Sequence, residues 1–243
     1  MECVLITGAS RRLGAEISKE LACSGAFVWI HYRSVLEKAE ALRNEIVKSG
    51  GKADCIAADL LDIDQIDAML DTIQRSDNGD LTTLINNASL MLKGTLKDTS
   101  PDVWDRLMNT NLKAVWYLSS KFADRFSSAA RIITIGDASV SGLYSEHAVY
   151  GLSKYALKFL TKQMAVAYAP EIRVNLLSPG LVMRGENEPE EVWKKRLERS
   201  LLDNGQIIGS IINGIRFLMK DPGMTGSEIL IDNGLHLHSK MKL

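Results

Sequence analysis

A tyrosine and a lysine four residues apart, Tyr150 and Lys154 in the run Tyr-Gly-Leu-Ser-Lys, share one face if that run is helical. An ammonium beside a phenol favours the ionised form, so the pair could act as an acid or base near neutral pH. The spacing alone proves little, because a surface tyrosine beside a solvated lysine has the same pattern. Near the N-terminus, Thr7-Gly8-Ala9-Ser10-Arg11-Arg12-Leu13-Gly14 follows an apolar run and opens a helical pattern. A tight glycine turn of this kind lets backbone amides and a helix N-terminus approach a pyrophosphate. Gly8 and Gly14 hold two places of the usual three-glycine pattern, and Arg12 occupies the middle one.

The end of the second apolar run indicates which dinucleotide would bind. A site for NAD normally carries Asp or Glu there for the ribose hydroxyls, whereas this chain reads His31-Tyr32-Arg33-Ser34. Arg33 and Arg12 would flank a 2′-phosphate, with Ser34 adding a hydroxyl donor, so the expected cofactor is NADPH.

These groups need a scaffold, and the apolar pattern supplies one. Val4 to Ile6, Phe27 to His31, Ala53 to Ala57, Thr83 to Asn86, Arg131 to Ile135, Arg173 to Leu177 and Ile229 to Ile231 read as strands. Between them, Leu13, Ile17 and Leu21, and then Leu42 and Ile46, keep helical spacing. Strand-helix alternation with continuously apolar strands predicts a parallel sheet covered on both faces. No repeat or linker divides the 243 residues, so one α/β domain is expected. The alternation breaks once, from Leu181 to Gln206, where a long polar insertion suits a helical lid.

Composition excludes other classes. A net charge of -1 argues against a general nucleic-acid or anionic-membrane binder, and the dense charges from Arg184 to Arg199 mix both signs, as on a solvated helix face. Cys3, Cys23 and Cys55 lack metal-type spacing; Cys3 and Cys23 fall in expected core elements, so buried free thiols in a reducing cytoplasm are anticipated. His31, His147, His236 and His238 form no ligand set, and no metal is expected. The first apolar run starts almost at Met1, no charged leader precedes it, and no run approaches bilayer length, which predicts a soluble cytoplasmic protein.

Thr-Gly-x-x-x-x-x-Gly at Thr7 to Gly14, Asp59 in Ala58-Asp59-Leu60, Asn86-Asn87-Ala88, Asn111, Tyr150-x-x-x-Lys154, Pro179-Gly180 and Ile231-Asp232-Asn233-Gly234 together resemble the short-chain dehydrogenase/reductase family, in its order and spacing from about residue 4 to 235. The resemblance implies a single Rossmann-type, doubly wound domain with a seven-stranded parallel sheet, in a homotetramer. It places Asp59 and Leu60 at the adenine and Asn87, Ala88 and Ser89 along the cofactor. Tyr150 would deliver a proton. Lys154 would bind the nicotinamide ribose and depress the pKa of Tyr150, and Asn111 would hold a relay water. Pro179, Gly180 and Val182 would face the carboxamide.

Where the family usually carries a catalytic serine, thirteen residues before the tyrosine, this chain has Asp137. Ser139 is two positions out of register and reads as a bystander. A carboxyl beside the phenol disfavours tyrosinate and suits a substrate that takes protons on ring nitrogens. Asp137, the Arg-Leu-Gly end of the turn, Tyr32-Arg33-Ser34 and Asn87-Ala88-Ser89 resemble the pteridine reductases and the bacterial dihydromonapterin (alternative dihydrofolate) reductases. So do the lid from Glu186 to Leu201, with Pro189 and Trp193, His147 before Tyr150, and the ending Asp232 to Leu237.

That resemblance implies reduction of a 7,8-dihydropterin to its tetrahydro form. Tyr150 and Asp137 would be the proton-delivery pair, with Ser89 and Arg12 at the pterin and the cofactor phosphates. Met91 stands in Leu90-Met91, where a stacking phenylalanine is usual. Trp193 would either compensate for the lost stacking or anchor the lid helix. Two alternatives stay open: a carbonyl reductase such as a 3-oxoacyl-carrier-protein reductase, with Lys194, Lys195 and Arg196 as a basic patch, and a non-catalytic dinucleotide-binding homologue.

Overall fold

The structure is a computed structural model and describes residues 2–126, 129–141, 144–202 and 207–237. Seven strands form one parallel sheet: β1 Cys3–Ile6, β2 Phe27–Tyr32, β3 Lys52–Ala57, β4 Thr83–Asn86, β5 Ala130–Ile135, β6 Ile172–Pro179 and β7 Glu228–Ile231, in the order β3-β2-β1-β4-β5-β6-β7. The helices are α1 Arg12–Cys23, α2 Leu36–Lys48, α3 Ile63–Gln74, α4 Pro101–Met108, α5 Ala114–Arg125, α6 Ala148–Tyr168, α7 Glu190–Leu197 and α8 Ile207–Lys220.

Alternation along each strand builds two cores. Val4 and Ile6 face one side with Ile17 and Leu21 of α1, Leu42 and Ile46 of α2, and Ile211 and Ile215 of α8. Cys3 and Leu5 face the other with Met69 and Leu70 of α3, Leu118 and Phe122 of α5, and Met164 of α6. Each such fully buried aliphatic or aromatic side chain contributes about 1.5–3 kcal/mol by leaving water. The expected doubly wound sheet follows from this two-sided burial.

Strand order reverses at β1, which pairs with β2 on one side and β4 on the other. The chains leaving β1 and β4 therefore diverge, opening a crevice at their C-terminal ends, where ligands of such sheets bind. A turn of π-helix, Asn109–Lys113, joins α4 to α5 and faces this crevice through Asn111.

Some local expectations change. β6 runs on to Pro179 because Ile231 of β7 pairs with it. Cys3 is buried as expected, but Cys23 is exposed and Cys55 half-buried. Cys23 ends α1 beyond the inward-facing Leu21 and Ala22, so its helix position turns it to solvent. The lid helix is shorter than Glu186 to Leu201: α7 starts after Pro189 and buries none of its residues. Residues 203–206 of the lid and His238 lie outside the described residues. Among the described residues no helix is long and apolar enough to cross a membrane.

Candidate active site

The turn after β1 is held from three directions. Gly8 has φ +60, in the left-handed region that favours glycine. At Gly14, a Cβ would stand 2.6 Å from the Gly8 carbonyl and 2.7 Å from Asn87 Nδ2, so only a hydrogen fits. Asn87 donates from Nδ2 to the Thr7 carbonyl at 2.8 Å and the Gly8 carbonyl at 3.1 Å, while Thr7 Oγ1 accepts from the amides of Asn87 and Ala88, each at 3.0 Å. His31, fully buried, accepts from the Gly8 amide at Nδ1 and bonds the Ala58 carbonyl through Nε2, both at 3.0 Å. The two bonds select the tautomer with the proton on Nε2. Burial pushes the His31 pKa down to about 4, so the ring is neutral near pH 7.

A groove of about 520 Å³ runs over this turn, lined by Gly8, Arg12, Leu13, Gly14, Tyr32, Arg33, Ser34, Asp59, Leu60, Asn87, Ala88 and Ser89. Asp59 fixes its own loop, accepting from the Leu61 amide at 3.0 Å and donating its amide to Gln65 at 2.8 Å. Arg12, expected beside a 2′-phosphate with Arg33, lines the same groove and also reaches the lid. Its backbone sits at φ +51, and its guanidinium donates to the carbonyls of Met183 at 3.3 Å and Arg184 at 3.1 Å, at the start of the lid. The second cation at the Arg33 end is Lys38, which also lines the groove. It escaped sequence reasoning, although its place in the first turn of α2, four residues after Ser34, was the available signal.

At the other end of the crevice, Tyr150 and Lys154 project from the first turns of α6, both buried. The Tyr150 hydroxyl donates to Asp137 Oδ2 at 2.7 Å, and the Tyr144 hydroxyl donates to the same oxygen at 3.0 Å. Asp137 Oδ1 accepts from the Ser139 amide at 2.8 Å, so Ser139 is an anchor of the carboxylate rather than a bystander. Burial first, and then the charge and hydrogen bond of Asp137, raise the Tyr150 pKa well above the usual phenol value.

Lys154, expected to depress this pKa, bonds elsewhere in the fold. Its ammonium donates to the Ile135 carbonyl at 2.9 Å, and burial lowers its own pKa to about 8, opposed by Asp137. The charge in direct contact with the phenol is the carboxylate, which adds to burial in keeping it protonated. Asn111 is likewise committed to the protein. It accepts from the Leu90 amide at 2.8 Å and the Ser89 hydroxyl at 3.3 Å, and donates to the Leu90 carbonyl at 2.8 Å and Ser153 Oγ at 3.0 Å. Its side chain thus positions the Ser89-Leu90 segment against α6.

Residues 2–194 match the family model for short chain dehydrogenase. The chain belongs to the short-chain dehydrogenase family. Among solved structures, this short-chain dehydrogenase is similar to FolM alternative dihydrofolate reductase 1 from Brucella canis complexed with NADP, with TM-score 0.93 and 29% identity over 99% of this chain and 96% of that one. Among curated proteins it is 30% identical to the 3-oxoacyl-[acyl-carrier-protein] reductase FabG of Staphylococcus aureus, over 96% of this chain and 97% of the relative. It is also 29% identical to the short-chain dehydrogenase/reductase FrzI of Cladobotryum sp, over 96% of this chain and 95% of the relative.

The remaining expected residues of this short-chain dehydrogenase fall around the groove rather than in it. Pro179 pairs with Ile231, the Gly180 amide donates to the Ile231 carbonyl at 2.9 Å, and Val182 packs with Leu13 on the core. Met91 is 48% exposed, while its neighbour Leu90 lines the groove. Trp193 lies under the Arg196 guanidinium of the same helix, 5.7 Å from the ring centre. His236, set aside as a metal ligand, pairs with Asp232 at 2.8 Å. That carboxylate also takes the Gly234 and His236 amides, and the adjacent Asn233 carbonyl takes the Leu201 and Leu202 amides, which tethers the far end of the lid.

Proposed function

We propose that this short-chain dehydrogenase is an NADPH-dependent reductase of a dihydropterin or dihydrofolate, with Tyr150 as the proton donor. The observation that carries the reading is the Asp137 carboxylate, 2.7 Å from the Tyr150 oxygen where a hydroxyl is usual. Beside it the phenol stays protonated and can only give a proton, which suits a ring nitrogen gaining an N–H bond. The similarity to the Brucella canis alternative dihydrofolate reductase supports the same reading.

The residues present fit NADPH. A Cβ-free turn, the N-terminus of α1 and the cations Arg33 and Lys38 converge on one groove. Arg33, Lys38 and Ser34 would hold a 2′-phosphate, Asp59 and Leu60 the adenine, and Asn87, Ala88 and Ser89 the path toward the chemistry. Bound there, NADPH supplies a hydride. Lys154 would meet the nicotinamide ribose, Arg12 would hold the lid at its entry, and Ser89, with Met91 and Trp193 at the rim, would meet the substrate.

A second reading is a carbonyl reductase, supported by the similarity to FabG and by exposed Lys194 and Lys195 on α7, which suit an acidic carrier. A homotetramer in the cytoplasm is the assembly we expect. Exposed Trp116 of α5 and Phe159 of α6, lining an apolar hollow with Leu112 and Leu160, are the surface that supports association. Light scattering tests the assembly.

NADPH oxidation with 7,8-dihydromonapterin, 7,8-dihydrobiopterin, dihydrofolate and acetoacetyl thioesters tests the activity. Turnover of at least one dihydropterin or dihydrofolate above the thioesters is expected. Turnover of thioesters alone would replace the first reading with the second.

A further inference from the structure

We propose that Tyr144 is a proton-relay residue, returning a proton through Asp137 to Tyr150 after Tyr150 has protonated the substrate. This rests on the reading of Tyr150 as donor and adds a group outside the Tyr-x-x-x-Lys and Asp137 pattern. Both phenols donate to one oxygen, Asp137 Oδ2, at 2.7 and 3.0 Å. The carboxylate is pinned at its other oxygen by the Ser139 amide at 2.8 Å, so Oδ2 is held between them.

The two tyrosines differ in access. Tyr150 is 8% exposed and its neighbour Lys154 is spent on the Ile135 carbonyl, whereas Tyr144 is only half-buried. The rings meet edge to face with centroids 5.7 Å apart. Gly151 leaves room for this contact, since a Cβ there would lie 3.1 Å from Tyr144 Cδ2.

In the forward step the Tyr150 O–H bond breaks and its proton forms the new bond on the substrate. A tyrosinate then stands 2.7 Å from a carboxylate, two negative charges in a buried place. The Tyr144 O–H bond breaks toward Oδ2, and Asp137 passes a proton from that oxygen to Tyr150. The carboxylate ends unchanged, and the negative charge has moved to Tyr144, which takes a proton from water or a buffer acid. No electrons move in this reset.

The charged and titratable groups facing Tyr144 come from three places: Asp137 from the loop after β5, Tyr150 and His147 from the start of α6, and Arg196 from α7. Burial and then Asp137 raise the Tyr144 pKa above the usual phenol value, opposed by Ser139 and by Arg196, which is itself paired with Glu188 at 2.7 Å. Tyr144 therefore rests protonated with its proton aimed at Oδ2, and the charge it takes on is removed by a proton from solvent.

Tyr144→Phe keeps the ring contacts and removes the transferable proton. With NADPH and the substrate that the enzyme turns over, we expect an unchanged melting temperature and NADPH dissociation constant, and kcat lowered roughly 10-fold or more. Imidazole buffer should restore kcat in a concentration-dependent way, while wild-type turnover ignores it. Tyr144→His, which retains a transferable proton, should keep most of the turnover without added acid.

A Phe variant within about twofold of wild type, or a loss that neither buffer acid nor histidine repairs, overturns the relay. Tyr150→Phe separates this from the underlying reading. An active Tyr150→Phe enzyme sinks the donor role itself, whereas an inactive one beside a silent Tyr144→Phe sinks only the relay.

Discussion

Acid should loosen the cofactor turn through one residue, His31. Its neutral ring accepts from the Gly8 amide and donates to the Ala58 carbonyl, and burial holds its pKa at about 4 against an ordinary 6.5. Because the folded value lies below the unfolded one, the unfolded chain takes up the proton first as pH falls. Stability that is complete above pH 6.5 is then lost progressively down to about pH 4. At about 1.4 kcal/mol per pH unit, that interval amounts to about 3 kcal/mol, of which about 2 kcal/mol is gone by pH 5.

The physical reason is that a protonated Nδ1 would point an N–H at the Gly8 N–H inside the core, leaving both donors without acceptors. Urea titrations of wild type and His31→Asn at several pH values between 5 and 8 measure the effect. Asparagine can keep the bond to Gly8 and loses the one to Ala58, so it should be about 1 kcal/mol less stable at pH 7. Its stability should nevertheless fall less steeply toward pH 5. Carboxylates and His147, itself held down by burial, act equally in both proteins, so the difference in slope isolates His31. Parallel slopes would refute the assignment of a buried, neutral imidazole.

Three further substitutions probe the groove and lid. Gly14→Ala pushes a methyl to within 2.6 Å of the Gly8 carbonyl, and should abolish tight NADPH binding in calorimetry and destabilise the fold by about 1–3 kcal/mol. Arg33→Glu should raise the dissociation constant for NADPH at least 10-fold and that for NADH far less, because it puts a carboxylate where a 2′-phosphate would lie. Arg12→Gly relieves the φ of +51 but removes both hydrogen bonds to the lid. Strain relief and lost bonds are each about 1 kcal/mol, so melting should change little while trypsin cuts the lid at Arg184 and Lys194 faster; unchanged cleavage would show that Arg12 does not hold it.

The alternation of strands and helices was legible because it is local. Ile17 and Leu21, or Val4 and Ile6, declare a helix face or a strand by spacing alone, and burial on both sides follows from continuous apolar strands. The glycine turn was legible for the same reason, since its steric demand is written in Gly8 and Gly14. Cys23 was misplaced because spacing near a helix end does not say which residue is the last to face inward.

Partners across the fold were not legible. Arg12 and Arg184 are 172 residues apart, and nothing local to either predicts their bond. The sequence puts Tyr150, Lys154 and Asp137 in one site, but who satisfies whom depends on tenths of an ångström. A β5 carbonyl took the lysine, and a loop brought Tyr144 to the carboxylate. By itself the sequence determined the sheet and the glycine turn, because periodicity and glycine placement encode burial and backbone sterics, while its motifs in order carried the resemblance to the family and the acid–phenol pair. Only the tertiary structure decided that the phenol bonds the carboxylate while the ammonium bonds a strand carbonyl, because hydrogen bonds act through distances that close only when the chain is folded.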